Sequence, residues 1–118
     1  MTQAKVKITV RRPTNKTSVL DIKGDINALA EDKLMDAYTR ATGQGAKAII
    51  LNFGELEYMN SSGIGLLVTL LIRANRQGQQ LLAVGLSDHY QHIFELTRLN
   101  EAIRTYESEA AAIGSLKS

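Results

Sequence analysis

The 118-residue chain contains no cysteine, no tryptophan and a single proline, and aromatic residues make up only 5% of it. Without cysteine there can be no thiolate nucleophile, no Cys-ligated zinc or iron–sulfur centre and no disulfide, which fits a reducing compartment and makes the cytoplasm the expected location. Charge of one sign is scarce as well. Fourteen Lys and Arg against twelve Asp and Glu leave a formal charge of +2, too little for a chain whose main partner is a phosphate backbone. Five of the cations, Lys5, Lys7, Arg11, Arg12 and Lys16, cluster near the N-terminus with no aromatics between them. Direct binding to nucleic acid is therefore not expected, and a solvated edge hairpin whose cations discourage further strand pairing explains the cluster. Long apolar runs are missing too. The longest, 64–72, is broken by Gly65 and Thr69 and falls far short of the ~20 residues of a membrane span. The alternation around Lys5 and Lys7 lacks the apolar block of a signal peptide. Neither membrane insertion nor export is expected.

What is present suits an ordinary folded domain: 44% hydrophobic and 22% charged residues, at a length that buries roughly two thirds of the unfolded surface without metal or disulfide. One domain over residues 1–118 is expected. Val6, Ile8 and Val10 alternate with polar residues, the period of a half-buried strand. Pro13 to Lys16 reads as a turn, and Val19, Leu20 and Ile22 as a second strand ending at Gly24, so the two strands predict an antiparallel hairpin. Beyond Asp25 the period changes. Ala30, Leu34, Ala37, Tyr38 and Ala41 line one helix face, and Gly43 and Gly45 stop it. The run Ala48, Ile49, Ile50 and Leu51 has the pattern of a strand covered on both faces. A loop over 52–60 is expected next, then a helix through Leu66, Leu67, Leu70 and Leu71 closed by Gly78, and a second buried strand through Leu81 to Val84. Ser87 and Asp88 are suited to cap a helix whose face carries Tyr90, Ile93, Phe94 and Thr97. A short strand around 103–106 and an alanine-rich helix, with Ser108 suited to cap it, complete the order. Repeated strand–helix–strand units predict an α/β fold: an N-terminal hairpin joined to a mostly parallel sheet with about four helices.

In such a sheet, chemistry gathers where strand C-terminal ends meet helix N-termini. Met59, Asn60, Ser61, Ser62, Gly63, Ile64 and Gly65 lie there, two hydroxyls and two glycines opening a helix. Unpaired amides and the helix dipole suit that position to an anion, including a phosphate placed on one of the serines. The plainer explanation is that Asn60 or Ser61 caps the helix and the glycines permit close packing. Known catalytic patterns fail here. A nucleophile elbow on Ser61 needs glycine at Met59 and Gly63 and finds only the second, while Ser62 finds neither. The third glycine of a dinucleotide fingerprint would fall at Val68, and there is no Gly-Lys-Ser or Gly-Lys-Thr. His89 and His92 lack an evident third ligand, so no metal or other cofactor is expected, and no enzymatic activity.

The stretch from Met59 to Leu67, preceded by the buried strand 49–52, resembles the Asp-Ser-Ser-Gly-Leu-Gly signature of STAS-domain anti-sigma factor antagonists. Gly24-Asp25-Ile26 stands where that family has Gly-Glu-Leu, and the stretches 93–99 and 103–111 are similar to its C-terminal third. The resemblance implies a STAS fold and a phosphorylation switch. The phosphoacceptor would be Ser61, with Ser62 second, modified by a serine kinase that is also an anti-sigma factor and restored by a protein phosphatase. It implies a partner surface of Asp25, Tyr58, Met59, Asn60, Ser61, Ser62, Gly63 and Ile64. The departure is Asn60, which replaces an acidic residue. Its amide can cap a helix but carries no charge and cannot act as a base. The alternative role for the same fold is an unphosphorylated scaffold or regulatory subunit of a stress-signalling or lipid-transport complex.

Overall fold

The alternation of Val6, Ile8 and Val10 does produce a strand, β1 (Val6–Thr14), antiparallel to β2 (Thr17–Ile26). The structure, a computed structural model, describes residues 5–43 and 45–116. Only Asn15 and Lys16 form the turn, because Pro13 and Thr14 stay in the strand through a register shift after Arg11. β2 likewise runs past Gly24 to Ile26. Gly24 has φ +102°, and a Cβ there would lie 2.2 Å from the Lys5 carbonyl oxygen, so this position accepts no side chain. A 3-10 turn (Ala28–Ala30) leads into α1 (Glu31–Ala41).

β3 (Ala48–Met59) is followed by α2 (Ser61–Arg76), β4 (Gln80–Val84), α3 (Asp88–Leu96), β5 (Arg104–Tyr106) and α4 (Glu109–Ser115). The sheet order is β1-β2-β3-β4-β5, with only the first pair antiparallel. Ile49 and Leu51 face the larger core with Leu34 and Tyr38 of α1, Leu67 and Leu70 of α2 and Phe94 of α3. Ile50 points the other way, to Val19, Leu82, Val84 and Ala112 of α4. The unbroken apolar run is thus explained by helices on both faces of the central strand.

The expected loop over 52–60 is corrected: the chain remains a strand to Met59 and pairs with β2 as far as Ile26. Asp21 and Lys23 pair with Asn52 and Glu55, and Gly24 and Asp25 with Leu56 and Tyr58, so β3 carries an extra residue in each interval. Each bulge reverses which face the next side chain occupies, and the two erase the period-two pattern by which a strand is recognised.

Candidate functional site

β3 delivers its last residues beside the end of β2: Tyr58 pairs with Asp25 and Met59 with Ile26. The next amide, Asn60 N, donates to the Ile26 carbonyl at 3.3 Å. Asn60 is itself extended (φ −99°, ψ −175°), and its Oδ1 accepts the Gly63 amide at 2.9 Å. Of the two residues suited to cap the helix, Asn60 is therefore the cap, and Ser61 is the first helical residue. Gly63 is buried where α2 rests on β2. A Cβ there would meet the Ile26 carbonyl oxygen at 2.2 Å and Met59 Cγ at 2.8 Å, so only glycine lets the first turn sit this close.

Ser61 and Ser62 are both exposed, and among the described residues neither their hydroxyls nor their amides have a hydrogen-bond partner. The first turn of α2 contains no acidic residue. The partial positive charge of the helix start is therefore uncompensated and directed at the space the serines occupy. This arrangement can hold an oxyanion attached to either serine. Asn60 itself is no base to activate a hydroxyl as a nucleophile, since its amide is neutral and its Oδ1 is already engaged by the Gly63 amide. Among the described residues no three His, Cys, Asp or Glu side chains cluster to hold a metal.

The structure brings Asp25, Tyr58, Asn60, Ser61, Ser62 and Ile64 to one surface, with Tyr58 52% exposed and Asp25, Asn60 and Ile64 half-buried. Met59 and Gly63 belong to its support instead. Met59 is 4% exposed, and its amide donates to the hydroxyl of Tyr90 on α3 at 2.8 Å. The periodicity marked Tyr90 only as part of an apolar face. The signal for its second task was the phenol itself, because a buried tyrosine hydroxyl needs a partner. Periodicity also missed an apolar stripe. Ile64 is followed at four-residue steps on α2 by Val68 and Ile72, 40% and 47% exposed, which continue outward from the serines for about 12 Å at ~1.5 Å per residue.

The family model of the STAS domain matches residues 7–112. An anti-sigma-B factor antagonist of Staphylococcus aureus is 28% identical over 86 residues, which span 73% of this chain and 80% of that protein. Among solved structures, an anti-sigma factor antagonist from Mycobacterium paratuberculosis aligns with a TM-score of 0.81 at 16% identity, over 99% of this chain and 100% of that one. The anti-sigma factor antagonist SpoIIAA aligns in its unphosphorylated form with a TM-score of 0.73 at 21% identity, covering 95% of this chain and 99% of that one. The phosphorylated form of Bacillus SpoIIAA gives 0.72 at 21% identity, over 94% and 100%. This backbone therefore fits both forms about equally well.

Proposed function

The chain belongs to the STAS domain family, and from that premise we propose that it is an anti-sigma factor antagonist switched by phosphorylation of Ser61. The observation that carries this reading is the state of Ser61. It is an exposed hydroxyl at the first position of α2, left free because Asn60 does the capping, with unpaired amides beside it. The names of the similar proteins support the same role.

In the unmodified state, the surface made by Asp25, Tyr58, Asn60, Ser61, Ser62 and Ile64, continued by Val68 and Ile72, docks on a serine kinase that also holds a sigma factor. The sigma factor is thereby released. Phosphorylation places roughly −1.5 to −2 charges in the centre of that contact, where a dianion must be either desolvated or expelled, and the complex separates. A phosphatase reverses the step. The domain, taken over residues 1–118, performs no catalysis itself and works in the cytoplasm alongside its kinase. Met59 and Gly63 contribute by holding the first turn of α2 in place.

The test is to incubate the protein with ATP and any serine kinase found encoded beside its gene, locate phosphate by mass spectrometry, and measure affinity with ADP present. Phosphate on Ser61, loss of the complex on modification, and binding without phosphorylation in Ser61→Ala are the expected results. Asn60→Asp restores a charge beside the acceptor and raises the phosphorylation rate without abolishing binding. Phosphate on neither Ser61 nor Ser62, together with tight binding to a permease or scaffold partner, overturns the switch in favour of an unphosphorylated STAS module.

A further inference from the structure

α4 packs on the sheet face opposite α1, α2 and α3. Its sequence, Glu-Ala-Ala-Ala-Ile-Gly-Ser, makes two turns with Gly114 in the second. A helix this short does not hold itself in water, and glycine weakens it further, so α4 depends on what it packs against. That packing is thin. Ala112 is its one fully buried side chain, whereas α2 buries Leu66, Leu67, Leu70 and Ala74 and α3 buries Tyr90 and Phe94. Ile113 and Leu116 are half-buried, and beside them lies an open cavity of about 340 Å³ whose other wall is Thr14 to Thr17 at the β1–β2 turn.

Polar attachment is equally sparse. Ser108 caps α4 from its own stretch of chain, its hydroxyl accepting the Ala111 amide at 3.1 Å. Among the described residues, every hydrogen bond from α4 to another element comes from Arg11 of β1, whose guanidinium donates to the two Glu109 carboxylate oxygens at 2.6 and 3.4 Å. Arg11 is also bonded to Asp21 on β2, so it remains with the sheet when α4 leaves. We propose that α4 is a strap that detaches as a unit from the intact sheet, with the Arg11–Glu109 contact as its latch.

Detachment breaks no strand pairing, because β5 is tied to β4 through Arg104 to Tyr106 and the chain leaves the ladder before α4 begins. It uncovers Val19, Ile50, Leu82 and Val84, none more than 3% exposed while the strap is closed. The fold therefore has a second conformational state, reached on the face away from α2 and set by the latch rather than by Ser61.

The experiment is amide hydrogen exchange of the whole protein by NMR, in water and in low urea. The Ala112 amide, bonded to the Ser108 carbonyl, is expected to exchange at least about a hundredfold faster than the protected amides of β3 and β4, and with a weaker urea dependence, the mark of local opening. Glu109→Gln should raise opening about threefold, the scale of a partly exposed ion pair, and leave β3 and β4 unchanged. Glu107→Gln, an acid near the same helix start with no ion pair among the described residues, should leave opening unchanged. Val84→Cys gives the chain its one thiol, and iodoacetamide should label it in the folded protein, faster when combined with Glu109→Gln. The wild-type exchange decides the matter even if that cysteine variant does not fold. The strap is overturned if Ala112 exchanges only by global unfolding, with the urea dependence of β3, or if a folded Val84→Cys resists labelling. The latch is overturned if Glu109→Gln has no effect or if Glu107→Gln matches it.

Discussion

Replacing Asn60 by alanine removes the oxygen that accepts the Gly63 amide and is expected to cost about 0.5–2 kcal/mol, the usual worth of an N-cap. Ser61→Ala removes a hydroxyl that bonds to nothing among the described residues, so its stability should stay within about 0.5 kcal/mol of wild type. The two glycines of the motif divide in a similar way. Gly63→Ala drives a methyl against the Ile26 carbonyl and should destabilise by about 1–3 kcal/mol. At Gly65 a Cβ meets nothing within 4 Å, so Gly65→Ala should stabilise the exposed helix by up to about 1 kcal/mol. Urea denaturation of the four variants checks all of these values. A large loss in Ser61→Ala would make Ser61 structural and remove the reason for regarding it as free to be modified.

At the scale of elements, Arg11 ties three segments together, because it bonds Asp21 on β2 and Glu109 at the start of α4 at 2.6 Å. The hydrogen bonds from Arg11 hold the Asp21 carboxyl below the usual carboxylate range, against the opposing effect of burial and with further help from Asn52. A carboxyl whose pKa is lower in the folded than in the unfolded chain stabilises fully above the unfolded value, near ~4. That contribution is lost as the pH falls through the folded value. Asp21→Asn should therefore be less stable than wild type at neutral pH, with the difference closing in acid. Urea midpoints measured from about pH 7 down to about pH 2 test it, and a difference independent of pH would mean the charge is not what matters. A different expectation belongs to α2. Val68→Ser and Ile72→Ser alter exposed positions, so they should leave stability within about 0.5 kcal/mol yet weaken binding to the proposed kinase partner. Arg73 and Arg76, at the far polar end of the helix, should matter little. A binding scan dominated by those two arginines would place the contact elsewhere.

For the molecule as a whole, the switch should act without refolding. The base of α2 is fixed from three directions, by the Ile26 carbonyl, by the Asn60 cap and, through Met59, by the Tyr90 hydroxyl. Ser61 is exposed and its hydroxyl takes part in none of these bonds, so the proposed phosphate would displace none of them. Amide NMR of the phosphorylated protein should show shifts near Asp25, Tyr58 and 60–66, with the slow hydrogen exchange of β2, β3 and β4 retained. Loss of protection across the sheet would mean that the signal travels by unfolding rather than by surface charge.

The order of elements, the buried central strand, the caps at Ser87 and Ser108 and the placement of the serine–glycine segment at a helix start were all legible in the sequence. Each rests on local chemistry: a hydrophobic period, a side chain able to cap, or a glycine that ends an element. Three features were decided only by tertiary contact. The bulges of β3 hide a strand because pairing with β2, rather than alternation, keeps residues 53–59 extended. Gln79 is buried because it accepts a hydrogen bond from the Tyr38 hydroxyl at 2.8 Å and donates to the Ala46 carbonyl at 3.2 Å, partners far from it in the chain. Tyr90 reaches Met59 only once α3 has docked beside the end of β3. Local periodicity reports which face of an element is apolar. It carries no information about which distant group will satisfy a buried polar atom, and the support beneath Ser61 is made of such pairings.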